Sequence, residues 1–156
     1  MNRYLGLDIG TKTIGVAVSD PFHTFANGLV TIKRTNVKED INKLKNIIEE
    51  KEIIKIIVGM PYNMDGSVGP SAQRVMSFVD LIKKEIDIEI IYEDERLTTV
   101  SAERVLIESK VRREKRKEHI DKIAAAFILQ DYLDRSQNGW FRKKYKWIYW
   151  IIWWNR

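Results

Sequence analysis

Three carboxylate positions stand out for where they fall among the apolar residues. Asp8 lies near the end of residues 4–9 (YLGLDI), whose alternation reads as a strand. Leu5, Leu7 and Ile9 share one face, and Asp8 shares the other with Gly6 and Gly10, which have no side chain to cover it. Asp94 and Glu95 follow a second apolar strand at 88–92. In open α/β sheets, ligands bind outside the carboxyl ends of strands. Asp121 opens a helix expected over residues 119–134, and its neighbours four, seven and eleven residues on are Ala125, Ile128 and Tyr132, so it aligns with packing residues and not with a charged face. Each acid also has a structural reading: Asp8 as a turn residue, Asp94 and Glu95 as a solvated strand end beside Glu93, and Asp121 as a first-turn acid favoured by the helix dipole.

Acids at two strand ends and on one docked helix are the parts of a carboxylate metal site. Carboxylates select hard ions such as Mg²⁺ or Mn²⁺. Two such ions, roughly 3.5–4 Å apart, can clamp the attacking and leaving oxygens of a phosphodiester. Composition points the same way. The 156 residues contain no cysteine and two histidines, His23 and His119, which removes zinc-thiolate sites, cysteine nucleophiles and a histidine-based cage. Hydrophobic residues make up 44% and charged residues 31%, as in an ordinary globular chain and not a disordered one.

The elements that must position the acids are readable. Residues 4–9 and 13–19 make a hairpin around Gly10-Thr11-Lys12, and 25–33 is a third strand with Gly28 as a weak point or bulge. Val37, Ile41, Leu44 and Ile48 place an amphipathic helix over 37–51. The apolar run 53–58 suits a strand covered on both faces. Residues 59–69 read as a loop, Pro70 as the first position of a helix, and 88–92 as a fifth strand. Thr98 or Thr99 can cap a further helix with Ala102, Val105 and Leu106 inward, ahead of a basic run at 110–118 and the last helix. The order predicts an α/β domain with a mixed sheet: an antiparallel meander joined to parallel strands, with helices on its faces. Residues 1–137 form the domain and 138–156 a basic, aromatic tail.

At residues 7–20 (LDIGTKTIGVAVSD), 58–67 (VGMPYNMDGS), 94–99 (DERLTT) and 120–133 (IDKIAAA, then ILQDYL after Phe127), the chain resembles the YqgF family, Holliday-junction-resolvase-like proteins with an RNase H fold. The four motifs stand in the family's order and span about residues 1–135. The resemblance implies a bacterial cytoplasmic nuclease that processes the 5′ end of precursor 16S ribosomal RNA; resolution of branched DNA is the older alternative, and a non-catalytic ribosomal-RNA-binding module a further one. It places the family's acids on Asp8, on the Asp94–Glu95 pair with Glu95 preferred, and on Asp121, holding two Mg²⁺ or Mn²⁺ ions. The start Asp8-Ile9-Gly10-Thr11 also resembles the first phosphate loop of actin-type kinases, but those need two such domains around a cleft and 156 residues supply one.

Substrate-contact candidates are Lys12 in the hairpin turn, Asn63 in the 59–69 loop, Arg96 after the acid pair, and Arg112, Arg113 and Arg116 ahead of Asp121. The formal charge of +5 belongs to the tail, which carries five basic side chains and no acid, while the body holds 22 of each sign. A neutral body fits poorly with strong unaided RNA binding. The tail holds all five tryptophans, and suits stacking on single-stranded nucleic acid, a membrane surface, or a helix folded back on the domain. It also departs from the family pattern, which ends soon after Leu133. Its apolar run, 147–154, is far short of the roughly 20 residues of a spanning helix. With no signal-peptide pattern, the expected location is the cytoplasm. Nucleic acid and ribosomal particles are the expected partners, and no dimer patch is legible.

Overall fold

The computed structural model describes residues 1–95, Ala102, Val105, Ile107, Glu108 and 112–136. The elements are β1 (Arg3–Ile9), β2 (Thr13–Ser19), β3 (Ala26–Lys33), α1 (Val37–Glu50), β4 (Ile53–Met60), α2 (Pro70–Glu85), β5 (Glu89–Asp94) and α3 (Arg113–Ser136). The sheet order is β3-β2-β1-β4-β5. β1, β2 and β3 pair antiparallel, and β1–β4 and β4–β5 pair parallel. This is the expected mixed five-stranded sheet, with Asp8 on its central strand. The bulge expected near Gly28 is present, as a register shift between Val16 and Ala17 on the partner strand.

The sheet is covered on both faces. Leu5, Leu7, Val16 and Val58 pack with Leu44 of α1 and Val75, Phe78 and Val79 of α2. On the other face Ala17 and Ile57 pack with Ile123, Ala125, Ile128 and Leu129 of α3 and with Ala102 and Val105. Burial on both sides is why the parallel strand β4 reads as a nearly continuous apolar run. Asn36 caps α1 by accepting from the Glu39 N–H at 3.0 Å, and Pro70 opens α2 as expected.

Some boundaries differ from the sequence reading. α3 begins at Arg113 rather than residue 119, so Asp121 sits in its third turn, beyond the reach of a first-turn dipole effect. The early turns were hidden because residues 113–119 (REKRKEH) offer no apolar periodicity. β4 runs to Met60, which puts Gly59 in the ladder and not in the loop, and β5 runs to Asp94. The end of β5 is not simply solvated: Glu93 is 3% exposed and paired with Arg135 of α3. Ala102, Val105, Ile107 and Glu108 are helical, and Ala102 and Val105 are buried as expected. Leu106, Thr98, Thr99, Arg96 and the tail lie outside the described residues.

α3 lies almost directly on sheet backbone. A Cβ on Gly15 would stand 1.9 Å from the Asp121 carbonyl oxygen, and one on Gly6 would stand 2.8 Å from that of Ala125. On Gly28 it would meet the Lys122 carbonyl at 3.3 Å. Backbone cannot move aside as a flexible side chain can, so overpacking here costs about 1–3 kcal/mol or more. Gly15→Ala is expected to lose at least about 2 kcal/mol in urea unfolding, and Gly28→Ala less than about 1 kcal/mol. Equal losses at the two positions would contradict this packing.

Candidate active site

The site is built around Asp8 by what its neighbours lack. Asp8 pairs with Gly15 on β2. On the other side Leu7 pairs with Val58, so Gly59 comes next on β4 beside Asp8. The space over Gly15 is filled by the backbone of Asp121. The space over Gly59 is filled by the carboxyl of Glu95, whose Oε2 stands 2.3 Å from where a Cβ would be. Two glycines thus seat the other two acids on either side of the first.

Glu95 follows β5, and its N–H donates to the Met60 carbonyl at 3.2 Å, fixing it one step past the Met60–Asp94 pair. Its carboxyl and that of Asp8 are hydrogen-bonded to each other. Glu95 Oε2 is buried without a hydrogen-bond partner. Asp94 is exposed. The Asp121 carboxylate is oriented by Thr13, whose Oγ1 donates to Oδ2 at 2.6 Å.

The electrostatics follow from burial and like charge. Burial is the largest influence on Asp8 and pushes its carboxyl up to about 6; the hydrogen bond with Glu95 pulls it down and the Asp121 charge adds to the rise. Burial, then the charge of Asp8 and the shared hydrogen bond, push Glu95 up to about 9. Both carboxyls are therefore held above the ordinary carboxylate range. The structure thus brings Asp8, Glu95 and Asp121 to one place. Among the described residues, no three His, Asp or Glu side chains close into a preformed cage. Asp121 is turned to Thr13, and Glu95 to Asp8. The donor set nonetheless fits a hard divalent cation: every ligand atom is oxygen, one buried oxygen is orphaned, and two carboxyls carry raised pKa values that a cation would lower.

The remaining candidates are less gathered. Lys12 is exposed in the hairpin turn, and its carbonyl accepts from the Arg34 N–H at 2.9 Å. Asn63 closes its loop: its N–H donates to the Ser67 carbonyl and its Nδ2 to Ser67 Oγ, both at 2.9 Å. Arg112 is exposed just before α3, and its carbonyl accepts from the N–H groups of Lys115 and Arg116. Arg113 and Arg116 lie on α3, Arg116 half-buried. Sequence reasoning gave Thr13, Gly15 and Gly59 no role in seating the acids. Beyond their place in the two motifs, the signal is period two: Thr13 and Gly15 share a strand face, and Gly15 meets Asp8 once the hairpin register is known.

The family model described as "RuvX: Holliday junction resolvase" matches residues 2–135. A protein from Thermoanaerobacter pseudethanolicus is 56% identical over 137 residues, covering 87% of this chain and 99% of the relative. One from Clostridioides difficile is 53% identical, covering 88% and 97%. Both carry the curated name "Putative pre-16S rRNA nuclease". Among solved structures, Thermus thermophilus RuvC in complex with a Holliday junction substrate has a TM-score of 0.57 at 11% identity, covering 89% of this chain and 98% of that one. The Fowlpox virus resolvase with Holliday junction DNA has a TM-score of 0.53 at 14% identity, covering 87% and 99%. At such identities these two show a shared fold, the RNase H-like one implied by the sequence motifs. With a family model spanning nearly all of the described residues and relatives above 50% identity, this chain belongs to the RuvX Holliday junction resolvase family.

Proposed function

We propose that this chain is a metal-dependent nuclease that hydrolyses phosphodiester bonds in the precursor of 16S ribosomal RNA. The observation that carries the reading is the meeting of Asp8, Glu95 and Asp121 at the carboxyl edge of the sheet, with Glu95 and Asp8 hydrogen-bonded and one Glu95 oxygen left without a partner. The relatives' name supports RNA as the substrate. The family description supports branched DNA as the second reading.

Asp8, Glu95 and Asp121 would hold Mg²⁺ or Mn²⁺. Such ions supply charge neutralisation at the phosphate and activation of water at neutral pH. The protein's part is arrangement. Asp8 supplies a carboxylate from the rigid central strand. Glu95, which holds a proton in the metal-free site, would have to release it to bulk solvent to serve as a ligand. Thr13 occupies one oxygen of Asp121 and so fixes which oxygen faces the site. Lys12, Asn63, Arg96, Arg112, Arg113 and Arg116 remain the proposed contacts for the substrate strand.

Purified chain incubated with a precursor-rRNA leader fragment or a four-way DNA junction, in Mg²⁺ or Mn²⁺, tests the reading. Asp8→Asn is expected to lower cleavage by about a thousandfold, and the substrate that is cut decides between RNA and branched DNA. Full metal-dependent cleavage by Asp8→Asn would overturn it. Thr13→Val is expected to raise the Mn²⁺ concentration needed for half-maximal rate by about tenfold, with Thr13→Ser near wild type. An unchanged metal requirement would show that the Thr13 hydroxyl is only structural.

The raised carboxyls also set a pH dependence. The folded chain keeps protons that the unfolded chain has already released, so without metal its stability falls as pH rises from about 4 toward 9. Binding of a divalent ion at these carboxyls would require those protons to leave. The Tm increase on adding Mn²⁺ should therefore be larger at about pH 8 than at about pH 5, and calorimetry should record proton release on binding. A Tm increase independent of pH would contradict the raised carboxyls.

A further inference from the structure

Next to the acids, the same edge of the sheet opens into a cleft of about 570 Å³ with Glu95 on its wall. Its other walls are the turn after β1 and the starts of α1 and α2, so it lies on the side of the sheet away from α3. Clefts of this size ordinarily hold a small ligand or one unit of a larger one.

Two arginines line it, and they differ. Arg34 is a fixture. Its Nε donates to buried Asp40 at 3.1 Å, its Nη1 donates to the Gly10 carbonyl at 2.8 Å, and its guanidinium lies 4.5 Å over the Phe78 ring. Its charge is matched by Asp40, so it forms a rigid shelf that ties the β1 turn to both helices. Arg74 is exposed, one turn into α2, and its Nη2 donates to Ser71 Oγ at 3.0 Å. Among the described residues it forms no ion pair. The first turn of α1 already holds Glu39 and Asp40, whereas that of α2 holds no acid. The unmatched positive charge of the cleft therefore lies on the α2 wall. Between the polar walls, Ile9, Val37, Pro61 and Val75 supply apolar surface.

We propose that this cleft is a subsite for one phosphate and its sugar in the substrate strand, adjacent to the scissile linkage, with Arg74 and the Ser71 hydroxyl on the phosphate. For the class of substrate this rests on the nuclease reading above. A guanidinium fork matches a phosphate in two directions at once, and its contact with Ser71 orders it in advance. Glu95 belongs both to the cleft lining and to the acid site, so the two share a residue at this edge of the sheet.

Fluorescence anisotropy of a labelled single-stranded RNA from the precursor leader, without divalent ions, tests binding apart from cleavage. Arg74→Ala is expected to weaken binding about tenfold and Arg74→Lys less. The slope of log K against log salt should fall by about 0.7 for Arg74→Ala, one phosphate contact on a single strand. Circular dichroism should show the exposed Arg74 variants folded. Methylphosphonate substitution, one linkage at a time, should reveal one position where wild type loses the same factor and Arg74→Ala loses nothing further. The absence of any such linkage, or of strand binding by wild type, overturns the proposal. So does an Arg74 effect confined to AMP or inorganic phosphate, which would make the cleft a site for free nucleotide. If the linkage is found but no metal-dependent cleavage occurs, the subsite stands and the nuclease reading fails.

Discussion

The close approach of one helix to bare strand backbone is the constraint on which the site depends. A helix usually rests on side chains that hold it off the sheet. Here Gly6, Gly15 and Gly28 remove that spacer from three adjacent strands, and Ala124, Ala125 and Ala126 remove it from the helix. The contact is set by carbonyl oxygens and strand backbone, which are far less compressible than leucine side chains. It fixes the height and position of Asp121, and the same lack of side chains beside Asp8 leaves room for Glu95. Packing and chemistry are therefore one design at this edge of the sheet.

The acids are costly to the fold that holds them. Glu93 shows how a structural acid on the same strand is treated: it is buried, but Arg135 reaches across from α3 to pair with it. Asp40 is likewise buried and met by Arg34 and the Thr35 N–H. Among the described residues, Asp8 and Glu95 have no basic partner, and both carboxyls are pushed toward holding a proton. A cluster of acids without a basic partner among the described residues, beside Glu93 and Asp40 that each have one, marks a place where stability has been given up for function.

Much of this was legible in the sequence because carboxylates at strand ends violate the apolar pattern around them. Asp8, the Asp94–Glu95 pair and Asp121 could be singled out by position, and the mixed sheet followed from a hairpin start and later β-α alternation. Other features needed facts that spacing does not carry. Gly15 and Gly59 matter only through their partners in the ladder, and register is a property of two strands. Thr13 and Asp121 are 108 positions apart, and nothing local links them. The early turns of α3 carry charges without an apolar stripe, so the usual signal for a helix was missing there. Arg34 and Arg74 come together only when the starts of α1 and α2 meet at the end of β1.

The position of α3 in the chain gives its docking a consequence for biosynthesis. All five strands precede it, so a polypeptide leaving the ribosome can pair its sheet and bury one face against α1 and α2 while α3 is still being made. In that interval Asp8 and Glu95 are present but Asp121 is not, and Ala17 and Ile57 still lack their cover. The three acids assemble only when the final described helix closes over the glycine floor. A nascent chain therefore lacks one of the three acids until its synthesis has passed this helix.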